Sequence, residues 1–471
     1  MDSIVYGGGE FKGEIMTNKI QQEVQKSILK DLRVPRYTSY PTAPHFSNNV
    51  NSDIVSDWYK NLHKTAKDIS LYVHIPFCEK LCTFCGCHMK VVNSYSPIQH
   101  YLDIIEKEVK LISSLLGDDC PPVKHLHFGG GSPSALTGDD FIKFMNVLKK
   151  YFPFTDTTDI AVEIDPRTVD EKKIKAYTDA GMNRMSIGVQ DFNLQVQEAV
   201  NRVQSYELVK SVIDTLVAHG VKSINMDIMY GLPYQTLETI KETIKQTLTL
   251  NPDRLAIFGY AHVPWMKKHQ LLIPEETLAG LDERWEMYAY IKDFLVANGY
   301  QPIGLDHFAK DTDPMAIAYR EKKLNRNFQG YTTDTADALI GIGHSSIGWC
   351  DTGYMQNLSD PIAYKNKLDA GQLPIKVGRV VSDEDRVRRR IIECIMCYME
   401  VDLKAVQAEF GSSYDFTPEL QKILDIQKSG MVELNGNVIV IPESGRVGMR
   451  LVASVFDAYL EAGKKKHSSA V

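Results

Sequence analysis

At 471 residues, with 44% hydrophobic and 24% charged residues, the chain has room for one large domain and a smaller one of ordinary globular composition. A formal net charge of −7 argues against general binding to nucleic acid or an anionic membrane. No stretch approaches the ~20 uninterrupted apolar residues of a membrane span, and no charged-then-apolar leader opens the chain, so a cytoplasmic protein without a membrane span is expected.

In chain order, residues 1–15 are Gly-rich and aperiodic, and read as a disordered lead-in or as an upstream start preceding Met16. Residues 17–32 are polar and helix-compatible, completing a lead-in over 1–32. An N-terminal arm follows over 33–69. Pro35, Pro41 and Pro44 exclude a regular helix at its start. There Tyr37, Tyr40 and Phe46 alternate with Arg33, Arg36 and His45, which suits a segment docked over the site better than a surface linker.

From Ser70 onward short apolar runs alternate with amphipathic segments. Strands are expected at 70–77, 123–128, 159–165, 184–189, 223–230 and 254–261, with helices near 98–116, 139–150, 170–180, 205–219 and 236–249. Such repetition implies parallel pairing through right-handed crossovers. Six units fall short of a closed eight-unit barrel. The expected fold is therefore an α/β partial open (β/α)6 barrel over 70–375, with a sheet extension after a helix at 276–297. Residues 376–471 read as a small, mostly helical, winged-helix-like domain, because Asn435-Gly436 between two alternating runs signals a hairpin.

The distinctive motifs fall at the expected C-terminal strand ends, where such barrels carry their chemistry. The first is a C-x3-C-x2-C triplet, Cys78, Cys82 and Cys85. Four of the eight cysteines, these and Cys87, lie within ten residues, which is metal or redox usage and not a disulfide framework. Three thiolates on one loop leave one iron of a four-iron cubane open. A structural zinc site, closed by Cys87, His88 or His74, is the alternative that spacing alone leaves standing. Cys394 and Cys397 lie in an apolar helical run and read as core.

The triplet, with Phe84 before its third cysteine, resembles the radical S-adenosylmethionine (SAM) superfamily. The wider set resembles the oxygen-independent coproporphyrinogen III dehydrogenase family: VPRYTSYPTAPHF (34–46), YVHIPFCEKLCTFCGC (72–87), HFGGGSPS (127–134), EIDPR (163–167), GVQDFN (188–193), DIMYGLP (227–233), YAHVP (260–264) and NFQGYTT (327–333). That resemblance implies anaerobic oxidative decarboxylation of coproporphyrinogen III to protoporphyrinogen IX in heme biosynthesis, through a 5′-deoxyadenosyl radical. It implies a [4Fe-4S] cluster on Cys78, Cys82 and Cys85 and two SAM molecules contacted by Tyr72, Phe84, Gly130, Gly131, Ser132, Glu163, Gln190, Arg202, Asp227, Ala261 and Ile347. A monomer fed by a flavodoxin- or ferredoxin-type one-electron donor is expected.

Read residue by residue, Gly129–Gly131 suit a tight turn as well as close backbone approach to a ligand. Any one of Glu163, Gln190, Arg202 and Asp227 would pass for solvated loop polarity. Together they supply the two charge signs and the hydroxyl acceptors that SAM requires. Cys87 separates the chain from heme-chaperone relatives of the same barrel, which are one rival reading; a heme-modifying radical enzyme is the other. His74, His127, His262 and His307 read as wall residues, and His344 departs from the small aliphatic residue expected in GIGHSSIG. Arg386, Arg388, Arg389 and Arg390 read as a solvated helix face. Arg33, Arg36, Lys310 and Arg326 are the cations expected to meet the substrate's propionates.

Overall fold

The computed structural model describes residues 23–30 and 33–460. They fall into two compact units, one built from the chain up to Thr42 and from Asp383 on, the other from Ala43–Ser382.

The larger unit is organised by a twelve-stranded sheet. Its strands are β1 (Ile69–Ile75), β2 (Val123–Gly130), β3 (Phe154–Ile164), β4 (Arg184–Gln190), β5 (Ser223–Tyr230), β6 (Arg254–Gly259), β7 (Tyr300–Ile303), β8 (His307–Lys310), β9 (Ala338–Ile342), β10 (Ile347–Cys350), β11 (Gly353–Asn357) and β12 (Ile375–Val380). The order is β12-β11-β10-β9-β1-β2-β3-β4-β5-β6-β8-β7, so the end strands do not pair and the barrel is open. β1 to β6 run parallel in sequence order, as expected from the six strand–helix units. A further parallel strand, β9, lies on the other side of β1. It escapes sequence reading because ALIGI is too short to separate from loop.

Strand alternation sorts the side chains. In β5, Ile224, Met226 and Ile228 are buried under the helices while Ser223, Asn225 and Asp227 face the interior. β4 repeats the pattern with Met185, Ile187 and Val189 outward, and β3 with Ile160, Val162 and Ile164. The covering helices are amphipathic: Tyr206–Ala218 buries Val209, Val212, Ile213 and Leu216, and Ser205 caps its first turn through the Leu208 N–H. The helix expected from 276 starts at Leu281, because Glu275–Thr277 forms a 3-10 turn and Gly280 precedes the helix.

A hairpin of Asn325–Asn327 and Gly330–Thr332 lies between β8 and β9 in the chain. Its Tyr331 ring meets His307 of β8 edge-on at 5.3 Å, and its hydroxyl accepts from Leu305 N–H. Beyond it, Asp334 approaches His125 of β2 at 3.5 Å. The segment thus reaches from β8 to β2 across the open side.

In the smaller unit, helices Asp383–Tyr398, Leu403–Glu409 and Thr417–Gln427 accompany a three-stranded sheet. The hairpin of Glu433–Asn435 and Val438–Val440 turns on Gly436 (φ 67°) and Asn437, one residue later than Asn-Gly suggested. Residues 34–40 pack within this unit. Arg450 donates to the carbonyls of Val34 and Pro35, the Tyr37 hydroxyl to Asp457, and Ala458 N–H to the Tyr40 hydroxyl. The arm aromatics Tyr37 and Tyr40 therefore build the smaller unit, while Phe46 stacks on Tyr354 in the larger. Arg388 is buried and pairs with Glu384 and Glu419, so the arginine run is not wholly a solvated face.

Candidate functional site

The cysteine loop leaves β1 and closes on itself, with Phe77–Cys78 pairing with Lys90–Val91. Residues beyond β4 hold one side, Val200 accepting from Thr83 N–H (3.1 Å) and Asn201 donating to the Leu81 carbonyl (2.6 Å). Residues beyond β6 hold the other. Lys267 donates to the Cys87 carbonyl (2.8 Å), His269 to Cys85 (2.7 Å) and Gln270 to Phe84 (2.9 Å). The carbonyls are thus taken from outside, and the sulfurs keep few partners.

Those sulfurs fit an iron–sulfur cluster. Burial, then the neighbouring Cys85 and Cys82, push the Cys78 thiol up to about 12, so that thiol does not ionise at neutral pH without a compensating cation. The Cys87 thiol hydrogen-bonds to Cys85 and lowers its proton affinity while its own rises. Cys87 thus serves Cys85 as a donor. Cys82 receives N–H groups from Arg202 (3.4 Å) and Arg167 (3.5 Å).

The glycine run is shaped by its own chain. A Cβ on Gly130 (φ +119°) would stand 2.7 Å from the His74 ring, and one on Gly131 2.9 Å from the backbone of Pro76 and Phe77. Gly131 and Ser132 N–H groups are spent on Ile75 and Phe77 carbonyls. His74 donates from Nε2 to the His88 carbonyl (2.9 Å), leaving Nδ1 to accept from the Tyr72 hydroxyl (3.1 Å). Beside it Tyr72 stacks on His127, which donates to Glu163 (3.0 Å), and Glu163 also accepts from Gly130 N–H. Tyr72, Gly130 and Glu163 are therefore brought together.

Glu163 and Asp227 line a cavity of about 230 Å³ inside the barrel, with His127, Phe258 and His307. Burial, then the nearby Glu163, push the Asp227 carboxyl up to about 6, against bonds from Asn225 and Ser186. Gln190 ends β4 with φ +69°, and Gly188 leaves room for the Arg202 guanidinium. Arg202 donates to the Gly188 carbonyl (2.5 Å) and Asp165 (3.2 Å), while its buried Nε has no partner. That orphaned donor fits a carboxylate such as SAM's. The Ala261 carbonyl accepts from Gln270 (3.3 Å), which ties it to Phe84; Phe84 packs against the cluster of Val196, Val200, Leu232, Tyr260 and Ile273. Ile347 opens β10 with its backbone against Gly341, the β9 partner of Tyr72.

The other expected residues are held by protein partners. Lys310 donates to the Asn251 carbonyl and pairs with Asp253, both preceding β6, so it sits at the N-terminal end of that strand and not at the mouth. Arg326 lies over the Tyr331 ring at 4.3 Å. His262 bonds Tyr260 and Glu275, and His307 bonds Asp306. His344 is buried between the Tyr101 and Tyr364 rings, and burial lowers its proton affinity to about 4. The helix layer absorbs that departure. Cys397 is buried in its helix, as core packing requires. Sequence reading missed Arg284, which lies over Tyr230 and against Gly231 and Gly259 at the ends of β5 and β6, its buried Nε without a partner. It also missed Gln270 and His269, which carry no motif.

Residues 72–247 match the Radical SAM superfamily model. The chain is 40% identical over 440 residues to the oxygen-independent coproporphyrinogen III oxidase of Bradyrhizobium diazoefficiens, covering 93% of this chain and 97% of that one. It is 42% identical over 448 residues to the protein of that name from Cereibacter sphaeroides, covering 95% and 98%. The solved coproporphyrinogen III oxidase HemN from Escherichia coli, described as a radical SAM enzyme, superposes with a TM-score of 0.86 at 34% identity, over 91% of this chain and all of that one.

Proposed function

The chain belongs to the oxygen-independent coproporphyrinogen III oxidase family of the radical SAM superfamily. From that premise we propose that it converts two propionate side chains of coproporphyrinogen III to vinyls, giving protoporphyrinogen IX in heme biosynthesis. The observation that carries this reading is the three-thiol loop gripped by arginine beside a polar barrel interior. Cys78, Cys82 and Cys85 would hold the [4Fe-4S] cluster, which would supply the one-electron reducing power that SAM-based radical chemistry at the propionates requires.

The chain's own groups position and exclude. Arg202 presents its free Nε–H to the SAM carboxylate, while Glu163 and Asp227 offer acceptors to its ammonium and ribose hydroxyls. With a carboxyl near 6, Asp227 is mostly ionised at neutral pH and acts as an acceptor. A second SAM beside the first belongs to the reading through the family resemblance. Four propionates bring about four negative charges, and burying a carboxylate unpaired costs several kcal/mol. Arg284, at the strand ends with an unspent donor, takes a propionate that is not reacting. None of the eight cysteines is in a disulfide, and a flavodoxin- or ferredoxin-type protein of the cytoplasm belongs to the reading as electron donor through the family resemblance.

Anaerobic assay of the reduced, cluster-loaded protein with coproporphyrinogen III tests this. The product should be lighter by two propionate-to-vinyl conversions, with methionine and 5′-deoxyadenosine released. SAM cleavage with no change in porphyrinogen mass would sink the assignment.

A further inference from the structure

Arg167 lies beside a cluster thiol without being free to bind a ligand. Its Nε and Nη2 grip both oxygens of Asp165 (2.9, 3.2 and 2.6 Å), and its Nη1 donates to the Asn201 carbonyl (3.3 Å). Its Nη2 also donates to Cys82 Sγ at 3.5 Å. Arg202 reaches the same sulfur and the same carboxylate, so Asp165 bridges two guanidiniums. All three side chains are nearly buried, at 9%, 12% and 9% exposure for Arg167, Asp165 and Arg202. Two cations against one carboxylate leave one net positive charge at Cys82. The two arginines differ in what remains to them: Arg202 keeps an unpartnered Nε, while the Arg167 fork is committed to protein atoms.

We propose that Arg167, locked by Asp165, is a positioning residue that holds an N–H group and positive charge on the Cys82 sulfur and thereby raises the reduction potential of the cluster. This rests on the cluster assignment of the proposed function. The reduced cluster carries one more negative charge than the oxidised one. Hydrogen bonds to cluster sulfurs and charge held in a buried setting therefore favour it. The effect eases entry of the electron on which the reaction depends. A purely structural Arg167 would hold the 165–168 turn and leave the potential alone.

The test is a potentiometric titration followed by electron paramagnetic resonance, without substrate, on anaerobically reconstituted wild type, Arg167→Gln and Arg167→Lys, with iron content measured alongside. Arg167→Gln should show an about tenfold lower ratio of reduced to oxidised cluster at fixed poise, ~59 mV for a one-electron couple. Arg167→Lys, keeping the charge but not the fork, should fall between. If Arg167→Gln does not retain iron, Arg167→Lys decides by the same comparison. A cluster-loaded variant with the wild-type potential overturns the proposal. A wild type that takes up no iron–sulfur cluster overturns the underlying assignment, a result distinguishable from the first.

Discussion

Replacing Glu108 with Gln should make the protein's stability less sensitive to pH. Glu108 is wholly buried on the helix Ser96–Leu116, where its carboxylate accepts from Gly343 N–H (2.7 Å), Asn357 (2.6 Å) and the Tyr364 hydroxyl. Burial outweighs these bonds and raises its carboxyl from 4.5 to about 7. A raised acid is favoured in its protonated form, so its contribution is fully present below pH 4.5 and is lost as pH rises through 7. At 1.36 kcal/mol per unit the whole shift corresponds to about 3 kcal/mol, of which about 2–3 falls between pH 5 and pH 8. Gln keeps an acceptor and never ionises. Urea unfolding of the larger unit at pH 5, 6, 7 and 8 should show wild type losing about 2–3 kcal/mol relative to Glu108→Gln across that range. Asp191 and Asp227, both raised to about 6, are common to both proteins and cancel. Parallel stability curves would refute the reasoning, because they would mean that Glu108 titrates alike folded and unfolded.

Cys78→Ala, Cys82→Ala and Cys85→Ala should each abolish the brown iron–sulfur absorbance, while Cys87→Ala retains it; stoichiometric zinc without iron in anaerobically purified wild type would contradict this. Gly130→Ala combines φ +119° with a 2.7 Å clash on His74, so a loss of about 2–4 kcal/mol in denaturant unfolding is expected, together with reduced iron retention, since His74 holds the His88 carbonyl. Arg284→Met should raise KM for coproporphyrinogen III by tenfold or more while cluster absorbance and uncoupled SAM cleavage persist; an unchanged KM would remove Arg284 from the substrate site.

The open parallel sheet was legible in the sequence, whereas the candidate site residues came forward through motifs at strand ends and the family resemblance. Glu163, Gln190 and Asp227 alternate along their strands with buried Val162 and Ile164, Ile187 and Val189, and Met226 and Ile228. The open six-unit barrel followed from counting such strands. Less was legible where a residue's role depends on a distant partner. Nothing in KKHQ announces that Gln270 will tie Ala261 to Phe84. The glycines of 129–131 invited a ligand-approach explanation, yet the atoms that forbid a Cβ belong to Tyr72, Glu163, His74, Pro76 and Phe77. Lys310 looked near the mouth because it follows DHFA, but β8 runs antiparallel to β6 and carries it to the opposite end.

The hairpin at 325–332 closes the open side through side chains and not through a backbone ladder. In a fully hydrogen-bonded barrel, girth is fixed by strand number and stagger. Here the seam rests on Tyr331, seated where Gly304 (φ +56°) leaves space, and on Asp334 near His125. Girth at the seam is then a property of loop length, and lengthening a loop costs only about 0.6 kcal/mol per doubling. A relative needing a wider bore could obtain it by changing one surface segment, with every parallel strand and every cluster cysteine left in register.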